Sequence, residues 1–138
     1  MILLDTDHLT ILRFTNSSRS QQLLNKMNLS TDEVAIPIIA VEETMRGWIS
    51  AIAKERQAIR QVFAYRELGE LFDFFGRFQI VPFESSAAQK FDTFNRIRIG
   101  TTDRKIAAIA LVTNSLLLTA NTRDFGQIPG LKFENWLT

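Results

Sequence analysis

Four acidic residues, far apart in the sequence, carry the chemistry that this chain most clearly offers. They are Asp5, Glu43, Asp103 and Asp124. Carboxylates that converge repel one another, and a divalent cation removes that repulsion. Because all the candidate ligands are oxygen atoms, Mg²⁺ or Mn²⁺ suits the set better than Zn²⁺. A cation held in this way can activate a water molecule and offset the charge of a phosphate, so the acids predict metal-dependent hydrolysis of a phosphodiester.

Each of these acids also has a purely structural interpretation. An aspartate that follows a strand, as Asp5 and Asp124 do, often closes a turn or caps a helix. An acid that opens a helix, as predicted for Asp103, complements the helix dipole. Glu43 is typical of a solvated helix face, and Glu42 points about 100° away from it, so only one of the two faces a given site. The prediction of a metal site therefore rests on the convergence of the four acids.

Polar residues beside the acids are candidates for hydrogen bonds to the ligands or to bound water. They are Thr6, Asp7, Thr101, Thr102, Thr119 and Asn121. The only histidine, His8, lies near the acids without a nucleophile partner, which favours a structural or surface role. Gly126 and Gly130 lie in a late loop that lacks the Lys-Ser/Thr sequel of a phosphate-binding P-loop. Metal-assisted hydrolysis is thus the best supported chemistry.

Short apolar runs predict the strands that position these acids. They cover residues 2–4, 34–36, 78–81, 116–119 and 131–133. Their separation by helical stretches predicts an α/β fold, with a mostly parallel central sheet of four or five short strands flanked by helices. Active sites in such sheets gather outside the carboxyl ends of the strands. Asp5 ends the first strand and Asp124 follows the fourth, so the sheet is expected to bring the acids to one edge.

Helical patterns account for most of the remaining chain. A short helix starts near Asp7, and Ser17 or Ser18 is placed to cap a second one. Further helices are predicted over residues 39–53, 54–75, 85–98 and 104–112, with residues 100–103 as a turn and 120–124 as a polar loop. Gly76 is expected to end the helix over 54–75. Glu43 then lies early on the third helix, and Asp103 opens the last.

The composition fits one globular domain over residues 1–138. Hydrophobic residues make up 46% of the chain and phenylalanine supplies 11 positions, enough for a core. The lack of cysteine excludes disulfides and thiolate sites and favours a reducing compartment. Since residues 1–5 lack the charged start of a signal peptide and the apolar run 106–112 cannot cross a bilayer, a cytoplasmic protein is expected. With 16 basic and 15 acidic residues, a general nucleic-acid-coating polycation is disfavoured.

Several short motifs, taken in order, resemble those of PIN-domain ribonucleases, specifically the VapC-type toxins of bacterial toxin–antitoxin pairs. The matching blocks are residues 3–7 (LLDTD), 43–47 (ETMRG), 99–103 (IGTTD) with 106–108 (IAA), 118–125 (LTANTRDF), 128–131 (IPGL) and 134–136 (ENW). Each block is short, but together they span nearly the whole chain. The resemblance implies a PIN-like three-layer fold, RNA cleavage dependent on Mg²⁺ or Mn²⁺, a homodimer, and neutralisation by a cognate antitoxin.

The same resemblance assigns roles by position. It makes Asp5, Glu43, Asp103 and Asp124 the catalytic and metal-binding acids, with Thr6, Thr102, Thr119 and Asn121 in support. Glu43 is preferred to Glu42 because it lies four residues before Gly47, although Thr44 stands where the family usually has an apolar residue. Since Asn121 is neutral, Asp124 becomes the candidate for the last acid.

Two other functions compete with the ribonuclease interpretation. The sequence Asp5-Thr6-Asp7 after an apolar strand also resembles the start of haloacid-dehalogenase-like phosphatases, in which Asp5 would be a nucleophile. That fold would need a later lysine and an acidic pair, whereas the fourth strand here leads to Asn121 and the single Asp124. The third possibility is a non-catalytic partner-binding module whose acids accept basic side chains of an antitoxin.

Two further sets of residues suit binding rather than chemistry. Cations that could attract an RNA backbone are Arg13, Arg46, Arg98, Arg104, Lys105 and Arg123. Aromatic residues that could line a dimer interface or an antitoxin groove are Trp48, Phe63, Phe72, Phe74 and Phe75. Solvated surface is the commoner role for such cations, and core packing for such aromatics.

Overall fold

Five short strands form one parallel sheet in the computed structural model, which describes residues 1–14 and 16–138. The strands are β1 (Ile2–Leu4), β2 (Val34–Pro37), β3 (Gln79–Val81), β4 (Leu116–Leu118) and β5 (Lys132–Glu134). Their order across the sheet is β3-β2-β1-β4-β5, and all neighbouring pairs are parallel. The α/β fold with a parallel central sheet, predicted from the apolar runs, is confirmed.

The position of β1 at the centre of the sheet explains why its sequence is apolar without alternation. Ile2, Leu3 and Leu4 are at most 1% exposed, because helices cover both faces of the sheet. On one face Leu3 packs with the buried part of the helix over residues 101–112, and on the other Ile2 and Leu4 pack with the helices nearer the N-terminus. The molecule therefore has three layers, as the family resemblance implied.

Seven helices connect and cover the strands within the described residues. They are α1 (Thr6–Arg13), α2 (Ser18–Leu29), α3 (Ile38–Lys54), α4 (Ala58–Phe75), α5 (Ser85–Asp92), α6 (Thr101–Val112) and α7 (Thr122–Phe125). Ser17 caps α2 by accepting the backbone N–H of Ser20, which confirms one of the two predicted caps. None of these helices, as described, is both long enough and apolar enough to span a membrane.

The junction between α3 and α4 differs from the prediction. The second long helix was expected from residue 54, but α4 begins at Ala58, and residues 55–57 are not helical. The side chain of Gln61 donates to the backbone carbonyls of Ile52 and Glu55, at 2.9 and 2.8 Å, and so satisfies groups that a continuous helix would have paired. The break lets the two helices fold back on one another.

The segment before α6 also differs from the prediction. The helix expected over residues 85–98 ends at Asp92, where the hydroxyl of Thr93 donates to the carbonyl of Lys90 at 2.6 Å. Phe94 then turns into the core and is only 3% exposed, so burial of its ring outweighs continuation of the helix.

Helix α6 starts three residues earlier than predicted, and a short helix replaces the expected late loop. Because α6 begins at Thr101, Asp103 lies within its first turn rather than before it. The backbone N–H of Arg104 donates to the carbonyl of Gly100, which closes that turn. Part of the polar loop predicted over 120–124 forms α7, with Asn121 at its N-cap position.

Candidate active site

Asp5 stands at the carboxyl end of the central strand, where the sheet edge meets α1. The residue is 5% exposed, and both of its carboxylate oxygens are engaged. Oδ1 caps α1 by accepting the backbone N–H of Thr6 at 2.8 Å, and Oδ2 accepts the hydroxyl of the fully buried Thr119 at 2.7 Å. Burial, followed by the charge of Asp7, raises the pKa of Asp5 to about 7. The hydrogen bonds therefore fix the orientation of Asp5, but its ionised form is unfavourable because the carboxylate is buried beside another charge.

Asp103 faces the same edge from the first turn of α6. Its Oδ2 accepts a hydrogen bond from Nδ2 of Asn121 at 3.1 Å. Burial raises the pKa of Asp103, and the charge of Glu43 raises it further. Asp103 also contributes to the raised pKa of Asp5. These two acids thus share one electrostatic environment, although they lie 98 positions apart in the sequence.

The structure brings Glu43, and not Glu42, to this edge. The hydroxyl of Thr6 donates to Oε1 of Glu43. Glu42 instead forms an exposed ion pair with Arg46, one helical turn further along α3, at 2.5 Å. The two glutamates point in different directions, as the geometry of a helix requires.

Asn121 links the last two acids. Its Nδ2 donates both to Asp103 and to Oδ2 of Asp124, at 3.1 Å in each case. The backbone N–H of Asn121 donates to the hydroxyl of Thr119 at 3.0 Å, so its own position is fixed from β4. Asp124 reaches the site from α7 and adds to the raised pKa of Asp103. All four predicted acids therefore lie at the same edge of the sheet.

Asp7 has a larger part in this geometry than the sequence suggested. Its Oδ2 accepts the backbone N–H of Ala120 at 2.9 Å, and its Oδ1 contacts Nδ1 of His8 at 2.6 Å. Burial of Asp7 opposes ionisation, but these hydrogen bonds outweigh it and hold the pKa of Asp7 below its ordinary value. Asp7 therefore joins the loop after β1 to the loop after β4. The sequence signal for this role of Asp7 was its position, two residues after Asp5 on the first turn of α1.

The predicted threonines separate into two groups. Thr6 and Thr119 hydrogen-bond to the acids, as described above. Thr101 accepts a hydrogen bond from Arg104 at 3.2 Å, away from the carboxylates. For Thr102, no side-chain hydrogen bond to an acid occurs within residues 1–14 and 16–138, so its supporting role stays a prediction.

Only some of these acids are arranged to serve as direct ligands of a hard cation. Across the described portion of the chain, no three acidic or histidine side chains are arranged to hold an ion. Magnesium commonly binds through one or two carboxylates and keeps several waters. Asp5 and Asp103 are the acids of this edge with raised pKa values, so a cation shared between them would relieve the repulsion. The donor set fits an ion held by these two acids and water.

The predicted RNA-binding cations are mostly engaged elsewhere. Arg13 forms a nearly buried ion pair with Glu67 at 2.6 Å. Arg104 lies over the ring of Phe91, 5.2 Å from its centroid, and Lys105 lies near the same ring. Arg46 is paired with a glutamate, as noted above.

Two of those cations remain exposed without an ion pair among the described residues. They are Arg98, just before α6, and Arg123, on α7. Both lie close in sequence to an acid of the site, Arg98 to Asp103 and Arg123 to Asp124.

An apolar groove adjoins the acids between α1 and α3. Its volume is about 350 Å³, and Thr6 and Glu43 lie on its wall together with Trp48 and Phe74. Of the other aromatics considered from sequence, Phe75 is buried in the core, whereas Phe63 and Phe72 are 60% and 66% exposed on α4. Phe63 adjoins the groove, because its ring meets that of Trp48 edge-on with centroids 5.9 Å apart.

Comparison with known proteins supports the family resemblance. A curated relative, the tRNA(fMet)-specific endonuclease VapC of Salmonella typhimurium, is 25% identical over 132 residues, which cover 89% of this chain and 90% of that protein. The structure resembles VapBC2 from Rickettsia felis bound to a promoter DNA fragment, with a TM-score of 0.72, 23% identity, and 99% of each chain covered. It also resembles DNA-bound VapBC from Salmonella typhimurium, with a TM-score of 0.74, 24% identity, and 98% and 97% of the two chains covered.

The model of one family, the PIN domain, matches residues 2–131. That span includes all five acids at the carboxyl edge of the sheet, from Asp5 to Asp124, and four of the five strands. Sequence motifs, sheet topology and the placement of the acids agree with this match, and the chain belongs to the PIN-domain family.

Proposed function

We propose that this chain is the toxin of a toxin–antitoxin pair, an endoribonuclease that hydrolyses RNA phosphodiester bonds with the help of Mg²⁺ or Mn²⁺. The observation that carries the proposal is the pair Asp5 and Asp103, two acids with raised pKa values held at one sheet edge. Two such acids are costly in a fold unless a cation offsets them. The relative from Salmonella, named a tRNA(fMet)-specific endonuclease VapC, supports the same class of reaction.

Each side chain of the site has a distinct task in this proposal. Asp5 and Asp103 would hold the cation, which would lower the pKa of a coordinated water and offset the charge of the scissile phosphate. Glu43 and Asp124 lie beside this pair and orient water by hydrogen bonding. Thr119 and Asn121 fix the carboxylates, so that little reorganisation is required during the reaction.

Positively charged side chains beside the acidic edge would hold the RNA substrate. Arg98 and Arg123 are exposed on the segments that carry Asp103 and Asp124. Contacts with phosphates of this kind position a nucleic acid without reading its sequence. Replacing both arginines by glutamine is therefore expected to raise KM for RNA more than it lowers kcat.

The nuclease activity is tested with purified protein, a structured RNA and either Mg²⁺ or Mn²⁺. Asp5→Asn and Asp103→Asn are each expected to lower kcat by about 100-fold or more, because a ligand of the cation is lost. Glu42→Gln is the matched control: it makes the same chemical change at the neighbouring acid that is paired away from the site, and its rate should stay at the wild-type value. Cleavage that persists unchanged in Asp5→Asn and Asp103→Asn would contradict the mechanism.

An antitoxin partner is the second part of the proposal. The apolar groove runs up to Glu43 and Thr6, so a partner with apolar residues followed by a basic side chain could fill the groove and neutralise the acids. Structural neighbours described as a toxin–antitoxin complex and as a member of the VapBC family of toxin–antitoxin systems support a partner of this kind. A small protein encoded beside this chain's gene is the candidate, and mixing the two should abolish RNA cleavage and displace Mn²⁺.

The other interpretations are less well supported. Membership of the PIN-domain family favours the nuclease over a haloacid-dehalogenase-like phosphatase. That phosphatase fold would also need a later lysine and an acidic pair, whereas β4 leads to Asn121 and the single Asp124. A non-catalytic module would bind the partner but neither Mn²⁺ nor RNA, and calorimetry with each of the three distinguishes it from the enzyme.

A further inference from the structure

The buried His8 connects the C-terminal segment to the acidic edge. It is 0% exposed, and each of its ring nitrogens has one partner. The backbone N–H of Trp136 donates to Nε2 at 3.1 Å, and Nδ1 lies 2.6 Å from Oδ1 of Asp7. The contact with Trp136 joins residues 128 positions apart in the chain.

These partners determine where the imidazole carries its proton. A backbone N–H can only donate, so Nε2 must be the nitrogen with the free lone pair. The proton is then on Nδ1, and the ring is the neutral Nδ1–H tautomer. The contact with Asp7 is accordingly a hydrogen bond from a neutral imidazole to a carboxylate, rather than an ion pair.

Asp7, whose carboxylate is oriented by His8, also contacts the groups that hold Asp5. The oxygen that does not contact His8, Oδ2, accepts the backbone N–H of Ala120 at 2.9 Å and lies 3.4 Å from the hydroxyl of Thr119. The same hydroxyl donates to Oδ2 of Asp5 at 2.7 Å. A rotation of the Asp7 carboxylate would therefore disturb the loop after β4 and the partner of Asp5.

The C-terminal segment is held firmly enough to serve as an anchor. Leu137 is 4% exposed and packs in the core with Leu4, Leu12 and Leu23. The indole N–H of Trp136 donates to Glu134 at 2.6 Å, and the backbone N–H of Leu137 donates to Asn135 at 2.9 Å. The amide that meets His8 is thus fixed from both sides.

We propose that His8 is a positioning residue of the acidic site, fixed as its Nδ1–H tautomer by the Trp136 amide so that it orients Asp7 and, through Ala120 and Thr119, Asp5. The part of this inference that concerns the cation rests on the proposed function. The part that concerns the hydrogen bonds does not, and the two are tested separately.

The tautomer is tested by long-range ¹H–¹⁵N NMR of the histidine ring, which is the only one in the chain. The wild-type protein should show a protonated Nδ1 and a hydrogen-bonded, unprotonated Nε2. Trp136→Pro removes the backbone N–H that reaches Nε2, whereas Trp136→Ala removes the indole and keeps that N–H. The Nε2 shift should change in the proline variant and stay in place in the alanine variant. A protonated Nε2 in the wild-type protein would overturn the assignment.

The effect on the site is tested with two substitutions of His8 that leave the backbone unchanged. In His8→Asn, the amide nitrogen is as many bonds from the backbone as Nδ1 and can still donate to Asp7. His8→Leu removes this donor. Both substitutions leave the Trp136 N–H without its acceptor, so similar falls in Tm are expected from that loss. The difference between them isolates the hydrogen bond to Asp7.

Two readouts separate positioning from a merely structural role. In His8→Leu, the Ala120 amide should exchange with solvent faster and Mn²⁺ affinity should fall about tenfold, the size expected when a support of a metal ligand is lost. In His8→Asn, both quantities should stay close to wild type. Equal behaviour of the two variants in amide exchange would overturn the positioning role. If the wild-type protein binds no Mn²⁺ and cleaves no RNA, the proposed function fails, while the NMR and exchange results still decide the role of His8.

Discussion

At the scale of single residues, Asp5 is an acid that the fold holds at a cost. Burial and the neighbouring charge of Asp7 raise its pKa from 3.8 to about 7. The unfolded chain keeps the ordinary pKa. At neutral pH the unfolded state therefore holds Asp5 ionised without cost, whereas the folded state disfavours its charge. A difference of this size corresponds to roughly 4 kcal/mol of unfolding free energy. A bound cation would reverse this cost, which is why the acid is informative about function.

This cost has a definite pH dependence in metal-free buffer. Because the folded pKa is the higher one, the folded state binds more protons between about pH 4 and pH 7, and stability falls as the pH rises through that window. Asp5→Asn removes the charge and keeps the shape. The variant should be more stable than wild type by about 2–4 kcal/mol at pH 8, and equally stable near pH 3, in urea unfolding. Asp73→Asn, an exposed change on α4, is the control, and a pH-independent difference for Asp5→Asn would be inconsistent with the account.

At the scale of elements, the connection from β4 to α7 holds the site together. The hydroxyl of Thr119 donates to Asp5 and accepts the backbone N–H of Asn121. Asn121 in turn bridges Asp103 and Asp124. One buried hydroxyl therefore links the acid of the first strand to the two acids that come from α6 and α7.

Removal of that hydroxyl should disturb both the fold and the site. Thr119→Val keeps the volume but leaves two buried polar groups without a partner, which is expected to cost about 1–3 kcal/mol of unfolding free energy. Mn²⁺ affinity should fall as well. Thr119→Ser retains the hydroxyl and should preserve that affinity despite the loss of a methyl group. Calorimetry on both variants makes the comparison, and unchanged Mn²⁺ binding by the valine variant would count against a positioning role for Thr119.

Local sequence patterns predicted some of these elements and not others. Buried strands such as β1 and β4 were predictable, because continuous apolar runs are typical of a central parallel strand. The end of α5 was not, since it depends on where the ring of Phe94 finds space in the core. The four acids could be placed at one edge because Asp5 and Asp124 follow predicted strands and Glu43 and Asp103 lie near the starts of predicted helices. Their partners could not: the bond between Thr119 and Asp5 spans 114 positions, and no local pattern encodes it.

At the scale of the whole molecule, α4 exposes more apolar surface than a solvated helix needs. Val62, Tyr65 and Phe72 are 47%, 57% and 66% exposed, and their spacing of three and seven residues places them on one side of the helix. Apolar patches of this kind commonly mark an interface. A homodimer through α4 is the association that we propose for this surface.

The proposed dimer is tested by size-exclusion chromatography with light scattering. The wild-type chain should have the mass of two copies, and Phe72→Glu should have the mass of one, because a charge at the interface would be buried without a partner. Its Tm in dilute solution should change little, since Phe72 is exposed in the monomer. Lys90→Glu, on α5, is the control and should remain dimeric. A wild-type monomer at high protein concentration would refute the proposed association.

The position of a bound divalent cation can be observed by anomalous diffraction from crystals containing Mn²⁺. We expect a manganese peak between Asp5 and Asp103, within about 2.2 Å of a carboxylate oxygen of each. Glu43 and Asp124 should meet the ion through water, and the peak should be missing in Asp103→Asn crystals grown under the same conditions. A manganese peak elsewhere, or one at this edge that survives the loss of the Asp103 charge, would show that Asp5 and Asp103 do not hold the cation together.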